Sequence, residues 1–233
     1  MKQKVIITGA TGMVGEGILH ECLQDPEIVE VLVINRKPSG KKHSKLKEYI
    51  YLDFLNFTGI PIDFSQYDAC YFCLGVSSLG ISKEDYFKLT YTLTLHVAQT
   101  MVDQNPRMIF TYVSGAGTNS SEKGMLGWAQ VKGKTENDLL KLPFQKAYMF
   151  RPGFLEPTPG LNNAKSYYKY FNWLSPVLRL FFSNHMSTLR ELGLAMLHVT
   201  QHGYPKPVLE VVDIKQAAKA YLAQRGPVPI TNF

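Results

Sequence analysis

Short apolar runs alternate with amphipathic segments through the first 150 residues of the chain. The apolar runs are rich in β-branched and aromatic residues and predict buried strands, at residues 4–7, 29–34, 49–52, 68–74, 107–113 and 146–150. The intervening segments repeat apolar residues at helical spacing, at residues 14–23, 83–104 and 128–142. This alternation predicts an α/β fold with a doubly wound, parallel sheet and right-handed crossovers.

The pattern changes after about residue 155. A Pro/Gly-rich loop at 152–160 precedes an aromatic-rich helical stretch at 165–182, and a helix is expected at 189–199. A short strand at 208–212 follows, and Asp213 is expected to cap a final helix to about residue 224. We therefore expect a core over residues 1–155. Residues 156–233 would add a small C-terminal lid, or partner surface, with a closing strand and helix of the same domain.

Three glycines lie on the turn between the first strand and the first helix. Gly9 permits the turn, Gly12 lets backbone approach a pyrophosphate, and Gly15 lets the helix pack closely on the strand. The helix N-terminus then offers N–H groups to phosphate. An ordinary glycine-rich loop is the alternative, but the strand–turn–helix context favours a Rossmann dinucleotide site. Its expected contacts on this turn are Gly9, Thr11, Gly12, Met13, Val14 and Gly15.

The second strand ends at Asn35-Arg36-Lys37, where a Rossmann fold meets the adenosine ribose. An acidic residue there would favour NAD, whereas a guanidinium can bind a 2′-phosphate. We therefore predict that Asn35, Arg36 and Lys37 bind NADP, with NAD the less favoured cofactor.

Two further positions are expected along the cofactor. Asp53 is placed to accept a hydrogen bond from the adenine amino group, although a turn-forming aspartate explains it equally well. Gly75 opens the small turn after the fourth strand and would let the cofactor backbone pass.

Composition narrows the function classes. The chain has 233 residues, is 45% hydrophobic and carries a formal net charge of +6. Much of this charge lies in one stretch, at Arg36, Lys37, Lys41, Lys42, Lys45 and Lys47. Nucleic acid is one partner for such a patch, but no recognition motif accompanies it. A phosphate site that continues as a solvated loop is favoured.

The N-terminal apolar run is too short for a signal peptide, and no apolar stretch approaches a membrane span. We therefore expect a cytoplasmic protein without a membrane partner. Cys70 and Cys73 form a Cys-x-x-Cys, but residues three apart on a strand face opposite sides, so core thiols are expected. The histidines at 185, 198 and 202 match no zinc spacing, and no metal is predicted.

The chain resembles the extended and atypical short-chain dehydrogenase/reductases over most of residues 1–155. The resemblance rests on the turn at 8–15, Ser114, Val131-Lys132-Gly133 and Arg151-Pro152-Gly153. The stretch at 130–136 and the short C-terminal part look most like the Tat-interacting-protein-like oxidoreductase branch.

This resemblance implies an active site of Ser, Tyr and Lys, with tyrosine and lysine spaced i and i+4 on one helix face. Ser114 would orient a substrate carbonyl, and Lys132 would lower the phenol pKa and hold the nicotinamide ribose. Pro152 and Gly153 would also contact the cofactor. The tyrosine position is Trp128, whose indole does not titrate near neutral pH. Four other hydroxyls are candidate proton donors, with packing or a place at the solvent edge as the alternative role: Ser77, Tyr86, Tyr91 and Tyr112.

Two functions follow from these expectations. The first is an NADP(H)-binding, oxidoreductase-like protein acting on a small-molecule substrate, with Ser114, Lys132 and Trp128 at the catalytic positions. The second is an NADP(H)-sensing regulatory protein without turnover, which Trp128 keeps open. The sequence does not indicate an oligomeric state.

Overall fold

The computed structural model describes residues 2–161 and 186–225. Seven parallel strands form one sheet in the order β3-β2-β1-β4-β5-β6-β9, and β7 pairs with β8 in a separate two-stranded sheet. The strands are β1 (Gln3–Thr8), β2 (Ile28–Asn35), β3 (Leu46–Ile50), β4 (Ala69–Phe72), β5 (Ile109–Val113), β6 (Lys146–Arg151), β7 (Phe154–Glu156), β8 (Met186–Thr188) and β9 (Val208–Glu210). The predicted α/β fold with a parallel sheet is confirmed.

Helices cover both faces of the sheet. They are α1 (Met13–Gln24), α2 (Lys83–Phe87), α3 (Leu93–Gln104), α4 (Gly127–Leu139), α5 (Leu189–His202) and α6 (Val211–Arg225). Residues of α1, α5 and α6 share one buried apolar cluster with alternate residues of β1, such as Val5 and Ile7. Residues of α3 and α4 pack with the intervening Ile6 on the other face. The central strands, such as β1, thus bury both sides, as their continuous apolar runs predict.

The order of the strands reverses between β1 and β4. Strand β1 pairs with β2 on one side and with β4 on the other, so the connections diverge at its carboxyl end. Ligands of open α/β sheets bind in the crevice at such a switch point. The glycine turn after β1 lies there.

The described C-terminal residues extend the sheet and cover one face. Helix α5 starts with a capping box, in which the N–H of Glu191 donates to Thr188 Oγ1 at 3.0 Å and the N–H of Thr188 donates to Glu191 Oε2 at 2.7 Å. It then packs against α1. Residues 186–225 therefore supply the closing strand and helix, whereas the aromatic stretch expected as a lid lies outside the described residues.

Several boundaries differ from the predictions. The third strand spans Leu46–Ile50 rather than 49–52, because it is an edge strand that pairs only with β2 and keeps a polar face. The predicted helix at 83–104 contains a π-helical turn, Lys88–Thr92. The sequence predicted neither β7, which lies in the Pro/Gly-rich loop, nor β8, which directly precedes α5. Asp213 lies inside the first turn of α6, where its carboxylate accepts from the N–H of Glu210 at 3.2 Å.

The cysteine pair is structural. Cys70 is fully buried in the cluster that contains Ile6, whereas Cys73 packs against the cluster on the opposite face. Burial raises the pKa of both thiols well above the ordinary value. The two sulfur atoms therefore face different layers, as predicted for residues three apart on a strand. Within residues 2–161 and 186–225 there is no group of three or more His, Cys, Asp or Glu arranged to hold a metal.

None of the helices described is long and apolar enough to cross a membrane.

We expect Glu21 to make folding pH-dependent. It lies buried on α1 beneath α5, and this burial raises the pKa of its carboxyl to about 7, although Arg190 opposes the shift. A carboxyl with a raised folded-state pKa weakens the fold as pH rises through about 5 to 7. Glu21→Gln should therefore be neutral near pH 5 and stabilising at pH 8 by on the order of 2 kcal/mol.

Urea unfolding at several pH values measures this difference. The exposed Glu84 on α2 provides the control, since Glu84→Gln should leave the pH profile unchanged. A Glu21→Gln effect that is the same at pH 5 and pH 8 would contradict the assignment.

Candidate functional site

The three glycines of the turn after β1 divide into two roles. A Cβ on Gly9, whose φ is +74°, would lie 2.8 Å from the carbonyl oxygen of Cys73, and a Cβ on Gly15 would collide with the backbone of Gly9. These two glycines are required by the fold itself. Gly12 is exposed, and a Cβ there would meet only the Gly9 oxygen, at 3.4 Å. The open face at Gly12 is therefore free for a ligand.

No side chain caps the N-terminus of α1. Gly12 is the N-cap residue and makes no side-chain capping hydrogen bond. The N–H groups of a helix's first turn carry a partial positive charge and bind phosphate well. Thr11, Met13 and Val14 border this end and are half-buried. The turn thus has the geometry of a pyrophosphate cradle.

The side chain of Asn35 holds the backbone of this turn in place. Its side chain is buried, and its Oδ1 accepts a hydrogen bond from the N–H of Ala10 at 3.0 Å. The amide nitrogen of the same side chain is buried and has no partner within residues 2–161 and 186–225. Since buried donors are nearly always paired, this nitrogen favours a ligand at the carboxyl edge of the sheet.

Three predicted cofactor residues meet in one cavity. Arg36, Asp53 and Gly75 line a space of about 170 Å³ together with apolar side chains, including Phe54 and Leu74. This position, beside the end of β2, suits the adenosine part of a dinucleotide. The Asp53 side chain also accepts from the N–H of Leu55 at 3.1 Å, so the turn-forming role is realised as well.

The basic stretch divides into bound and exposed cations. Lys41 pairs with the buried Glu16 at 3.2 Å, and Lys47 pairs with Glu30 at 2.7 Å. The Lys45 ammonium donates to two backbone carbonyls at the end of α1, at 3.1 and 2.7 Å.

In contrast, Arg36 and Lys37 are exposed and form no ion pair within the part of the chain that the structure describes. Less of the positive patch is thus presented to solvent than the composition suggests. The two cations that remain exposed beside the adenosine cavity are the ones predicted to meet a 2′-phosphate.

The structure brings Ser114 and Lys132 together at the end of β5. The Lys132 ammonium donates to the backbone carbonyl of Ser114. Burial lowers the pKa of Lys132 below its ordinary value, although the nearby Glu136 carboxylate opposes that effect. Lys132 therefore lies where the resemblance expects the nicotinamide ribose to be held.

The Ser114 hydroxyl is engaged by acceptors. Its proton is donated to Glu136 Oε1, at 2.5 Å, and the carbonyl oxygen of Phe150 lies 3.1 Å away. A hydroxyl has one proton to give. The resemblance led us to expect that the Ser114 hydroxyl orients a substrate carbonyl. In this structure its proton points to Glu136, and that contact must open before Ser114 can donate to a substrate.

Glu136 is the residue that sequence reasoning missed. It is buried, its two carboxylate oxygens share the Nε–H of Arg151 at 3.0 and 3.1 Å, and Oε2 also accepts from Arg151 Nη2. Arg151 also donates to Glu210 at 2.9 Å and to Ser120 at 2.5 Å. A signal was present in the sequence, because Glu136 follows Lys132 by four residues and so shares its helix face.

Trp128 lies one turn before Lys132 on α4, as predicted. The edge of its ring is 3.3 Å from the position that a Cβ would occupy on Gly117. The half-buried indole lines a cavity of about 540 Å³ between α2 and the start of α4. The indole borders this space and does not fill it.

Of the four alternative hydroxyls, Tyr86 alone lines this cavity. Tyr112 is buried in the core, and burial raises its pKa far above the ordinary value. Tyr91 donates to Asp138 at 2.8 Å, and the Ser77 oxygen accepts from the N–H of Leu79 at 3.1 Å.

Pro152 and Gly153 follow β6 beside the same edge. The carbonyl of Pro152 accepts from the N–H of Ala116 at 2.8 Å, which fixes the loop after β5. Gly153 is half-buried. Pro152 thus supports the loop that holds Ser114.

Comparison with known proteins identifies related sequences. Protein fmp52, mitochondrial, of Aspergillus fumigatus is 25% identical over 161 residues, covering 65% of this chain and 66% of that protein. Protein FMP52, mitochondrial, of Meyerozyma guilliermondii is 27% identical over 156 residues, covering 65% of each. The match thus spans just under two thirds of these relatives. Both relatives are named as mitochondrial proteins, which does not support the expectation that this protein is cytoplasmic.

Solved structures share the fold at low identity. Uronate dehydrogenase from Agrobacterium tumefaciens superposes with a TM-score of 0.66 at 11% identity, over 99% of this chain and 92% of that one. A putative 2-deoxy-D-gluconate 3-dehydrogenase from Agrobacterium tumefaciens, with bound NADP, gives 0.63 at 12% identity, over 92% and 96%.

The profile of the NAD dependent epimerase/dehydratase family matches residues 5–126, from β1 through the loop before α4. This match covers just over half of the chain and contains the glycine turn, the adenosine cavity and Ser114. The chain therefore belongs to the NAD dependent epimerase/dehydratase family.

Proposed function

We propose that the protein is an NADP(H)-dependent oxidoreductase that acts on a small-molecule carbonyl compound. The residues present fit the dinucleotide. The open face at Gly12 and the uncapped start of α1 suit the pyrophosphate, and the unpartnered amide of Asn35 faces this edge of the sheet. Lys132 would hold the nicotinamide ribose.

Arg36 supports NADP(H) over NAD(H). It lines the adenosine cavity, is exposed, and forms no ion pair among the described residues. A guanidinium in this position can form charge-assisted hydrogen bonds to a 2′-phosphate, whereas a carboxylate would repel it. Lys37 adds a second exposed cation.

The observation that carries the oxidoreductase proposal is the cavity of about 540 Å³ beside Trp128. It lies at the same edge of the sheet as the contact between Lys132 and Ser114, with room for a small molecule. When bound, NADPH would supply the hydride for the carbonyl carbon, and the protein would have to supply one proton to the carbonyl oxygen to give an alcohol and NADP⁺.

The proton must come from a group other than the indole. Trp128 does not titrate, and the Ser114 proton is held by Glu136. Tyr86 is the one alternative hydroxyl of the four that lines the cavity. The roles we assign are therefore cofactor binding for Lys132, loop positioning for Ser114, and substrate contact for Trp128.

A second candidate is an NADP(H)-binding regulatory protein without turnover. Two observations favour it: Trp128 occupies the tyrosine position, and the Ser114 hydroxyl donates its proton to Glu136. The cofactor would then bind while carbonyl reduction lacks its general acid.

We also assign the chain to the Tat-interacting-protein-like branch. The assignment rests on the stretch Gln130-Val131-Lys132-Gly133-Lys134-Thr135-Glu136 and on the short C-terminal part. In this stretch, a Cβ on Gly133 would collide with the carbonyl oxygen of Asn119, which gives the glycine a packing reason.

Steady-state oxidation of NADPH against quinones, aldehydes and sugar nucleotides separates the two candidates. Turnover with any of these acceptors supports the oxidoreductase. Tight NADPH binding without turnover across the whole panel supports the regulatory protein.

The first prediction from this site is a preference for NADPH over NADH. A hydrogen bond to a charged group contributes about 1.5–3 kcal/mol, so one good contact from Arg36 gives about tenfold discrimination or more. Arg36→Glu should abolish the preference. Lys42→Glu, at an exposed lysine of the same stretch, makes the same charge change and should retain it. Calorimetric titration decides, and equal wild-type affinities would refute the prediction.

Gly12→Val should abolish NADPH binding while the protein still folds. The Gly12 backbone has φ −95° and room for a Cβ, but a branched side chain would fill the space needed by the pyrophosphate. Gly15→Val provides the contrast, because its side chain collides with Gly9 and should disrupt the fold. Thermal melting and titration are measured together. Retained affinity in folded Gly12→Val would place the cofactor elsewhere.

Trp128→Tyr should restore the tyrosine–lysine pair on α4. We expect NADPH affinity within about threefold of wild type and a gain in carbonyl reduction of about tenfold. This is below the upper range for general acid catalysis because the pocket is not shaped around a phenol. Trp128→Phe keeps an aromatic ring without a hydroxyl and should show no gain. This gain is expected of the regulatory candidate. A wild type that already reduces carbonyls efficiently, and loses activity in Trp128→Tyr, would refute that candidate and support Trp128 as a substrate contact in a working enzyme.

A further inference from the structure

The cavity beside Trp128 has a distinctive lining. It lies between α2 and the beginning of α4, and six of its eleven lining residues are aromatic or apolar with large side chains. These are Ile81, Tyr86, Phe87, Met125, Trp128 and Val131. Its volume of about 540 Å³ falls in the usual range for small-molecule sites. The space is thus large enough for a molecule of one or two fused rings.

The described lining carries little charge. Among the described residues no aspartate or glutamate lines the cavity and Lys83 is the one charged residue, with Ser78, Ser82 and Gln130 as further polar side chains. A sugar nucleotide presents many hydroxyls and a diphosphate, each of which needs a partner once it leaves water. For the diphosphate, the described lining offers a single ammonium group.

Several apolar side chains at or next to the cavity are exposed. Met125, which lines it, is fully exposed, and Leu79 and Leu126, each adjacent in sequence to a lining residue, are 86% and 59% exposed. Ile81 and Phe87, which line the cavity, are each 37% exposed. Apolar side chains gathered around an opening commonly mark a binding site for an apolar ligand. Methionine adapts its shape to such ligands.

Three of the described lining side chains are aromatic. Tyr86, Phe87 and Trp128 come from both walls of the cavity. Their rings favour offset or edge contacts with another ring, which add to the burial of apolar area. A flat aromatic ligand uses this arrangement better than an aliphatic chain of equal size.

We propose that this cavity binds an aromatic carbonyl compound, with its ring among Tyr86, Phe87 and Trp128. The assignment of this ligand as a substrate rests on the proposed oxidoreductase function, whereas its binding does not. The carbonyl would then lie toward Lys132, at the edge of the sheet where the nicotinamide is expected.

Binding of three probes to the full chain tests the proposal. Acetylnaphthalene is an aromatic ketone, dodecanone is an aliphatic ketone with the same number of carbons, and UDP-glucose is a sugar nucleotide. Calorimetric titration is performed with and without NADPH. We expect acetylnaphthalene to bind about tenfold more tightly than either of the others.

Two variants place a carboxylate in the lining. Ile81→Asp and Phe87→Asp change half-exposed side chains and should weaken acetylnaphthalene binding about tenfold, since a charge must be desolvated beside the ring. Val212→Asp makes the same kind of change at a 60% exposed position on α6, outside the cavity, and should have no effect. Melting curves establish that each variant is folded. If Ile81→Asp unfolds, Ile81→Ser replaces it.

The proposal is overturned if acetylnaphthalene does not bind, if dodecanone or UDP-glucose binds as tightly, or if Val212→Asp weakens binding as much as the cavity variants. NADPH oxidation is measured alongside binding. Binding that depends on Ile81 and Phe87, without oxidation of NADPH by any acceptor, supports this ligand class and refutes the oxidoreductase. Turnover of a sugar nucleotide without acetylnaphthalene binding supports the oxidoreductase and refutes the aromatic ligand class.

Discussion

The buried ion pair between Glu136 and Arg151 supports the half of the site where chemistry would occur. Glu136 lies on α4 and Arg151 at the end of β6, so the pair joins the helix that carries Trp128 and Lys132 to the sheet. Burial alone would lower the pKa of Arg151, but hydrogen bonds with Glu136 outweigh that effect and raise it. Breaking a buried pair typically costs about 3–5 kcal/mol because the remaining charge is left unpaired. Arg151 therefore has a structural reason to stay in place.

The same pair determines where the Ser114 proton points. Glu136 accepts from Arg151 and from the Ser114 hydroxyl, so one carboxylate connects the end of β5, the end of β6 and α4. The adenosine half of the site is constructed differently. It relies on backbone conformation at Gly9 and Gly15, on the amide of Asn35 and on an exposed Arg36. The adenosine half and the half around Ser114 and Lys132 are thus held in place by separate groups.

The sequence was sufficient to predict the parallel sheet because each central strand is a continuous apolar run between turn residues, as in Val5, Ile6 and Ile7. It was less informative at the edge, where β3 contains the adjacent charged residues Lys47 and Glu48 and pairs on one side only. It also predicted that Ser114 and Lys132 would meet. It did not predict which way the Ser114 hydroxyl points, because that depends on Glu136, which lies 22 residues away along the chain. Long-range polar contacts of this kind leave no periodic signal.

The choice between an enzyme and a regulatory protein reduces to the supply of one proton. The structure provides space beside Lys132, and it provides no ionisable group at position 128. Lys132 itself has a pKa lowered by burial, with Glu136 opposing the shift, and its ammonium is already bonded to the Ser114 carbonyl. Transfer of its proton would break that bond and leave Glu136 beside a neutral amine, so Lys132 is suited to holding a ligand. The hydroxyl of Tyr86 on the cavity wall, or that of a tyrosine introduced at position 128, is the group that would supply the proton for carbonyl reduction.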